Sequence, residues 1–227
     1  TLGEYATFGI RNTLADYRAT QLRAIGERYA FTLEEYGKAI CRIRMQAIGR
    51  CNVYNALAAF AVSHNVGVES AGIKDALLKF TGAGRRFEFL GEYNGFCLAD
   101  DYAHHPTEIT ATLTAAKNLS YNNVIAVFQP FTFSRTALLK DEFIKALSIA
   151  DKVILTPIMG SREVNTYGIY TSQLAEKIPD SVWFNTFEVV AEYAIDNAKS
   201  GDLIITLGCG DIYKAAKIMI NKLNERQ

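Results

Sequence analysis

From Phe87 onward, short apolar runs alternate with amphipathic stretches, and that alternation leaves few folds open to the chain. Phe87 to Ala99, Val124 to Phe128, Val153 to Leu155, Val182 to Phe184 and Leu203 to Leu207 read as strands. Between them, Ile109, Leu113 and Ala116 mark one helix face, and Leu139, Phe143, Ala146, Leu147 and Ala150 mark another. Leu174 to Ile178 is a short helix. Phe187, Val190, Ala191, Ala194, Ile195 and Ala198 recur at helical spacing, as do Ile212, Ala215, Ala216, Met219, Ile220 and Leu223. Strands separated by helices predict parallel pairing, because a parallel partner is reached only by a long crossover. The predicted class is α/β: a doubly wound, mainly parallel sheet with helices on both faces.

The first part of the chain follows a different period. Ala6 to Ile10, Tyr17 to Ile25, Arg28 to Leu33 and Lys38 to Met45 are short runs set apart by glycine or charged turns, and they predict an antiparallel meander with a hairpin turn at Gly26-Glu27. Val53, Leu57, Phe60 and Ala61 then share one helical face, and Ile73, Ala76, Leu77 and Phe80 another. Two helices therefore close this part. The segment Thr81-Gly82-Ala83-Gly84-Arg85-Arg86 breaks the pattern, which puts a domain boundary between residues 1–84 and 85–227.

In an open parallel sheet the loops at the carboxyl ends of the strands share one rim, where ligands bind. Four loops are expected there: Asp100 to Pro106, Gln129 to Thr136, Thr156 to Tyr167 and Gly208 to Asp211. The first, Asp100-Asp101-Tyr102-Ala103-His104-His105-Pro106, holds two of the chain's three histidines. Pro106 suits a first helical position, where a missing N–H costs nothing. The plain reading of this cluster is capping of the following helix. The functional reading is favoured, because adjacent carboxylates repel unless a cation, a diol or a donor pair answers them. Arg135 stands near a helix start, against the positive end of the dipole, so an anionic ligand would account for it; the plain reading is a solvated arginine. The third loop adds Arg162 and Glu163.

Gly208-Cys209-Gly210-Asp211 opens like a dinucleotide fingerprint, but it lacks the third glycine and follows the last strand. A tight turn with Asp211 capping the next helix is the better reading. Asn52 and Asn55 read first as caps and second as nucleotide contacts. No phosphate loop of the Gly-x-x-x-x-Gly-Lys-Ser/Thr type, no Gly-x-Ser-x-Gly elbow and no His-Glu-x-x-His are present.

Composition narrows the partners. Lys plus Arg (24) equal Asp plus Glu (24), with no basic block, so nothing marks a nucleic-acid surface. No apolar run reaches the roughly 20 residues that span a bilayer. Cys41, Cys51, Cys97 and Cys209 have no Cys-x-x-Cys spacing and read as buried free thiols in a reducing, cytoplasmic setting. The chain opens on Thr1, so a missing leader carries little weight.

Several phrases together resemble the Mur ligase family, in particular its branch that joins L-alanine to UDP-N-acetylmuramate. They are Gly49-Arg50-Cys51-Asn52-Val53-Tyr54-Asn55-Ala56-Leu57-Ala58-Ala59, Arg85-Arg86-Phe87-Glu88, Asp100 to Ile109, Phe128-Gln129-Pro130, Ser134-Arg135-Thr136 and Thr206-Leu207-Gly208-Cys209-Gly210-Asp211-Ile212. The resemblance implies the carboxyl-terminal portion of such an enzyme. Residues 1–84 would end a central ATPase domain with antiparallel strands and two helices, and residues 85–227 would form a Rossmann-like amino-acid-binding domain. The UDP-sugar domain, the phosphate loop and most Mg²⁺ ligands would lie upstream, leaving the fragment inactive alone and no metal ligand within it.

In the family, ATP phosphorylates the muramoyl carboxylate and the amine of L-alanine attacks the acyl phosphate, a step in peptidoglycan precursor synthesis. By position, Asn52 and Asn55 resemble adenine-side asparagines. Arg86 resembles the nucleotide-contacting arginine past the hinge, and Asp101 the acid that nears the ribose or phosphates when the domains close. Tyr102, His104, His105 and Arg135 resemble the frame of the incoming amino acid, with Arg135 suited to its carboxylate. Arg86, Asp101 and His104 are the expected catalytic set. The implied partners are UDP-N-acetylmuramate, L-alanine and ATP, with no nucleic acid and no membrane; the oligomeric state stays open. The chain departs from the family at Cys51 and Phe131, where His is usual, and at Pro157, where an acid is commoner. Those departures keep two other readings open: a ligase of the same family that recycles a murein tripeptide, and a non-catalytic nucleotide- or amino-acid-binding module. A nicotinamide dehydrogenase is disfavoured by the incomplete glycine turn.

Overall fold

A computed structural model describes residues 5–26 and 28–226. The chain divides into two compact units, residues 1–83 and 84–227.

The first unit is a four-stranded sheet of β1 (Phe8–Gly9), β2 (Tyr17–Ile25), β3 (Arg28–Glu35) and β4 (Lys38–Arg44), followed by α1 (Cys51–Asn65) and α2 (Ser70–Lys79). β2, β3 and β4 form the expected antiparallel meander, whereas β1 runs parallel to β2. The difference has a local cause. The Asp16 carboxylate accepts from the Thr7 N–H and hydroxyl, both at 2.7 Å, and Tyr17 N–H donates to Thr7 O at 2.9 Å, so the starts of the two strands lie side by side. Ile25 pairs with Arg28 across the hairpin; Gly26 takes φ 59°, and Glu27 of the expected turn lies outside the described residues. One face of the sheet buries Tyr17, Ala19, Phe31, Leu33 and Ile43 against Val53, Leu57, Phe60 and Ile73 of the helices.

The second unit is built on six strands in the order β5-β6-β10-β7-β8-β9. In chain order they are β5 (Glu88–Tyr93), β6 (Phe96–Asp101), β7 (Val124–Phe128), β8 (Lys152–Leu155), β9 (Ser181–Trp183) and β10 (Leu203–Leu207). The helices are α3 (Pro106–Lys117), α4 (Phe133–Leu138), α5 (Lys140–Leu147), α6 (Ser172–Ala175), α7 (Phe187–Asn197) and α8 (Tyr213–Glu225). Every pairing is parallel except β5 with β6, which turn at Asn94-Gly95 with both residues at positive φ.

All residues of β7 and β10 are buried, and the strand period of two sends them to opposite faces. Val124, Ala126 and Phe128 pack with Leu203, Ile205 and Leu207 against Ile109 and Leu113 of α3 and Phe143 and Leu147 of α5. Ile125, Val127 and Ile204 pack against Val190 and Ala194 of α7 and Ala215 and Met219 of α8. The helix expected to carry Leu139, Phe143, Ala146, Leu147 and Ala150 is α5, which buries Phe143, Ala146 and Leu147. The short α4 precedes it, separated where Leu139 takes φ −112° and ψ 27°, and Ala150 lies past the end of α5.

β6 and β10 are neighbours, yet the helices that follow them, α3 and α8, cover opposite faces. The chain leaves the sheet in two directions there, which opens a crevice at the carboxyl ends.

Candidate functional site

The loop after β6 is stapled from within. Asp101 is 6% exposed, and its oxygens accept from Ala103 N–H and Phe87 N–H, both at 2.7 Å. Asp100 is 3% exposed; it accepts from Arg85 Nε at 2.8 Å and from the Thr206 hydroxyl at 2.6 Å. The repulsion that the sequence raises is thus answered inside the protein, by a cation for one acid and a backbone donor pair for the other. Burial pushes the Asp101 carboxyl up from its ordinary range, against the pull of those two amides, Arg86 and Thr112.

The two histidines have separate surroundings. His105 is the exposed N-cap of α3: its Nδ1 accepts from Thr107 N–H at 3.3 Å, and Glu108 closes a capping box by accepting from His105 N–H at 3.2 Å. His104 is half-buried, with Nδ1 3.0 Å from Tyr102 O and 3.2 Å from Glu108 Oε2. A carbonyl only accepts, so Nδ1 carries the hydrogen, and whenever the ring is neutral Nε2 is the acceptor. Burial pushes the Glu108 carboxyl up, but the His104 and His105 amides and the His104 and Arg86 charges outweigh it and hold it below the usual range.

Two adjacent arginines play unlike parts. Arg85 is anchored: besides Asp100, its Nη2 donates to Gly208 O at 2.6 Å and its Nη1 to Gly210 O at 3.4 Å. Arg86 lies 5.3 Å from the centre of the Tyr102 ring, with Asp101 and Glu108 near enough to feel its charge and no carboxylate within 4 Å among the described residues.

The turn after β10 is shaped by its neighbours. Gly208 has φ 145°, and a β-carbon at Gly210 would stand 2.6 Å from the Met159 sulfur and 2.7 Å from Gln129 Oε1. That Gln129 oxygen accepts from Asp211 N–H at 2.9 Å. The expected capping by Asp211 does not occur: Ile212 is the N-cap of α8, and Asp211 pairs with Lys214 at 3.0 Å. The turn is a packing device that brings the loops after β7 and β10 together.

Arg135 is the third residue of α4, on the same rim. Its Nη1 is buried and without a hydrogen-bond partner. The strand-to-helix turn before it places Thr132 at φ 65° and ψ 141°, a conformation that costs a β-branched residue about 1–3 kcal/mol. It is held by Thr132 N–H donating to Met159 O at 2.9 Å and by Thr136 Oγ1 donating to Thr132 O at 2.7 Å. α4 has no side-chain cap of its own; instead Glu163, from the loop after β8, accepts from Ser134 N–H at 2.8 Å and from the Ser134 hydroxyl. Those bonds and the nearby Arg135 hold the Glu163 carboxyl below its ordinary range. Cys209 reports the convergence: burial pushes its thiol up, while the charges of Arg135 and Arg85 pull it down and Glu108 raises it.

Arg86, Asp101, Tyr102, His104, His105 and Arg135 therefore all belong to one rim of residues 84–227. Arg85 stands in the Arg85-Arg86-Phe87-Glu88 phrase, but its pairing with Asp100, 15 residues away, follows no local period and has no sequence signal. Asn52 and Asn55 belong to the first unit and are not caps. Arg50 is the N-cap of α1 without a side-chain bond, Asn52 Nδ2 donates to Ile48 O at 2.7 Å, and Asn55 Nδ2 donates to Asn52 Oδ1 at 2.9 Å. Both line a cavity of about 400 Å³ with Met45, Ala56, Leu77 and Phe80. All four cysteines are free, but none is fully buried, and Cys51 at the start of α1 is exposed.

An open α/β sheet with the Arg86 and Arg135 guanidiniums at its switch point has the chemistry suited to a small anionic molecule. A family model described as "Mur ligase, glutamate ligase domain" matches residues 85–210, and the chain belongs to the Mur ligase family. The UDP-N-acetylmuramate–L-alanine ligase of Caldicellulosiruptor saccharolyticus is 42% identical over 215 residues, 92% of this chain and 47% of that protein. The enzyme of the same name from Caldicellulosiruptor bescii is 49% identical over 187 residues, 81% of this chain and 41% of that protein. In fold, the UDP-N-acetylmuramate–alanine ligase of Thermotoga maritima superposes with a TM-score of 0.78 at 23% identity, over 98% of this chain and 48% of that one. The chain spans about half the length of the curated relatives it matches.

Proposed function

We propose that this chain supplies the amino-acid site and part of the nucleotide site of a cytoplasmic, ATP-dependent ligase that joins L-alanine to UDP-N-acetylmuramate through an acyl phosphate, in peptidoglycan precursor synthesis. Residues 84–227 are the amino-acid-binding domain in this reading, and residues 1–83 are the end of the central ATPase domain. The observation that carries it is the buried, unpartnered Nη1 of Arg135, a donor that a substrate carboxylate satisfies with a charge-assisted bond. The names of the relatives at 42% and 49% identity supply the substrates.

The geometry supports the following roles in this reading. Arg135 takes the carboxylate of L-alanine. His104 Nε2 accepts a hydrogen bond from the amine and helps aim its lone pair at the acyl carbon, a task of orientation rather than bond making. Arg86 faces the nucleotide phosphates, and Asn55 with Asn52 faces the adenine. Asp101 ties the segment after Arg86 to the segment before His104 through its two amides, so it acts by placement. His105 serves as a cap. The reading assigns most Mg²⁺ ligands to another part of the intact polypeptide, as the family resemblance implies, and no step here runs through the ion. No helix among the described residues is long and apolar enough to cross a membrane.

The test is a ligation assay on the intact polypeptide that carries this chain. Amide, ADP and phosphate should form only when UDP-N-acetylmuramate, L-alanine and ATP are all present, while the 227 residues alone should turn over no ATP. ATP hydrolysis by the 227 residues alone, or ligation by the intact polypeptide that ignores L-alanine, would contradict the assignment.

A further inference from the structure

Arg85, Tyr102, Arg86 and Tyr213 form a stack that neither the family match nor the proposed chemistry assigns. The Arg85 guanidinium lies 5.0 Å from the centre of the Tyr102 ring and 5.0 Å from that of Tyr213. Arg86 lies 5.3 Å from the same Tyr102 ring, and the His104 ring meets Tyr102 edge-on at 5.6 Å. Two like charges around one ring repel, so something must fix the order in which they sit. The structure shows what does. Arg85 is bonded to buried Asp100 and to the carbonyls of Gly208 and Gly210, and Tyr213, at the start of α8, supplies its second aromatic surface. Tyr213 is braced in turn by Lys217, 5.0 Å from its centre.

Arg85 thus has a set position, with its charge answered by Asp100. Tyr102 rests on that guanidinium, and both Arg86 and His104 rest on Tyr102. We infer that Arg85 and Tyr213 are positioning residues, a fixed platform on the turn between β10 and α8 that sets Tyr102 and thereby aims Arg86 and His104. Neither touches substrate. The geometry stands by itself, whereas its kinetic consequence rests on the ligase reading.

Three variants of the intact polypeptide test the platform. Tyr213→Leu removes the aromatic surface, Tyr213→Phe keeps it, and Arg85→Lys keeps the charge but loses the planar fork. Loss of one cation–π contact should raise the KM for L-alanine and for ATP in Tyr213→Leu by about threefold to thirtyfold, with kcat changed less than about threefold. Tyr213→Phe should return both constants to wild type, and Arg85→Lys should be at least as impaired as Tyr213→Leu. A second readout needs no activity: arginine side-chain NMR of the 227-residue chain should show the Arg86 Nε–H resonance, shifted by the Tyr102 ring, move towards its unstructured value in Tyr213→Leu and stay in Tyr213→Phe. Tyr213→Leu without effect on either readout, or Tyr213→Phe as impaired as Tyr213→Leu, overturns the platform. If the wild-type polypeptide forms no amide, the ligase reading falls and the resonances alone decide the platform.

Discussion

Residues 84–227 cover both faces of their sheet with helices, whereas residues 1–83 cover one face and leave α1 apolar on its outer side as well. Val53, Leu57 and Phe60 of α1 are buried, yet Tyr54 and Val62 are 39% and 66% exposed on its other flank, and the C-cap Val66 is 74% exposed. A second apolar stripe on the outer flank of a helix is suited to burial as well. The polar residues differ in the same sense. In the second unit Asp100 holds Arg85, while Asp101, Glu108 and Glu163 accept from backbone amides of the rim; in the first, Asn52 and Asn55 bond to each other and to Ile48. The difference teaches where each unit's function rests: one presents a rigid, internally braced rim, and the other presents a surface.

The sharpest way to break this comparison is a pair of core and surface substitutions. Phe143, fully buried and 5.6 Å from the Phe128 ring, should cost about 3–5 kcal/mol when changed to Ala, read from chemical denaturation. Val62→Ser, on the outer flank of α1, should stay within about 0.5 kcal/mol in the same chain. A large loss from Val62→Ser would mean that α1 is packed on both sides within these residues.

Asp101→Asn comes next. It turns one of two carboxylate acceptors into a donor facing an amide, which should cost about 1–3 kcal/mol in denaturant melts. An unchanged midpoint would show that the staple between Phe87 and Ala103 carries no weight.

The smallest effect concerns pH. Burial raises the Asp151 carboxyl, but Lys117 at 2.7 Å and the Val124 amide at 2.7 Å outweigh it and leave it below the usual range. Its contribution is therefore present above the unfolded value near 3.9 and lost as pH falls through the folded one. Asp151→Asn should lower Tm at pH 7 by an amount worth about 1 kcal/mol or less, and the gap to wild type should close on acidification. A gap that widens in acid would reverse the sign and remove the pair from the account.

Much of this was legible in the sequence. The alternation of apolar runs after Phe87 states a parallel sheet, because burial on both faces demands it, and Pro106 marks the start of α3 where the structure has it. What escaped depends on contacts between distant positions. The parallel pairing of β1 is set by Asp16 reaching Thr7, and the break at Leu139 by backbone geometry that no period encodes; the N-cap of α8 falls one residue later than Asp211, whose carboxylate pairs with Lys214. The two acids looked like an unanswered charge because their answers, Arg85 and two backbone amides, carry no local signature. Arg135 was legible as a misplaced cation; its buried, unpartnered nitrogen was not.

The most direct test of the central claim is the L-alanine KM of Arg135→Ala in the intact polypeptide. Loss of a charge-assisted pair worth about 1.5–3 kcal/mol should raise it by about one to two orders of magnitude, with kcat little changed at saturation. A KM equal to that of wild type would remove Arg135 from the site and contradict the assignment of this rim to the amino acid.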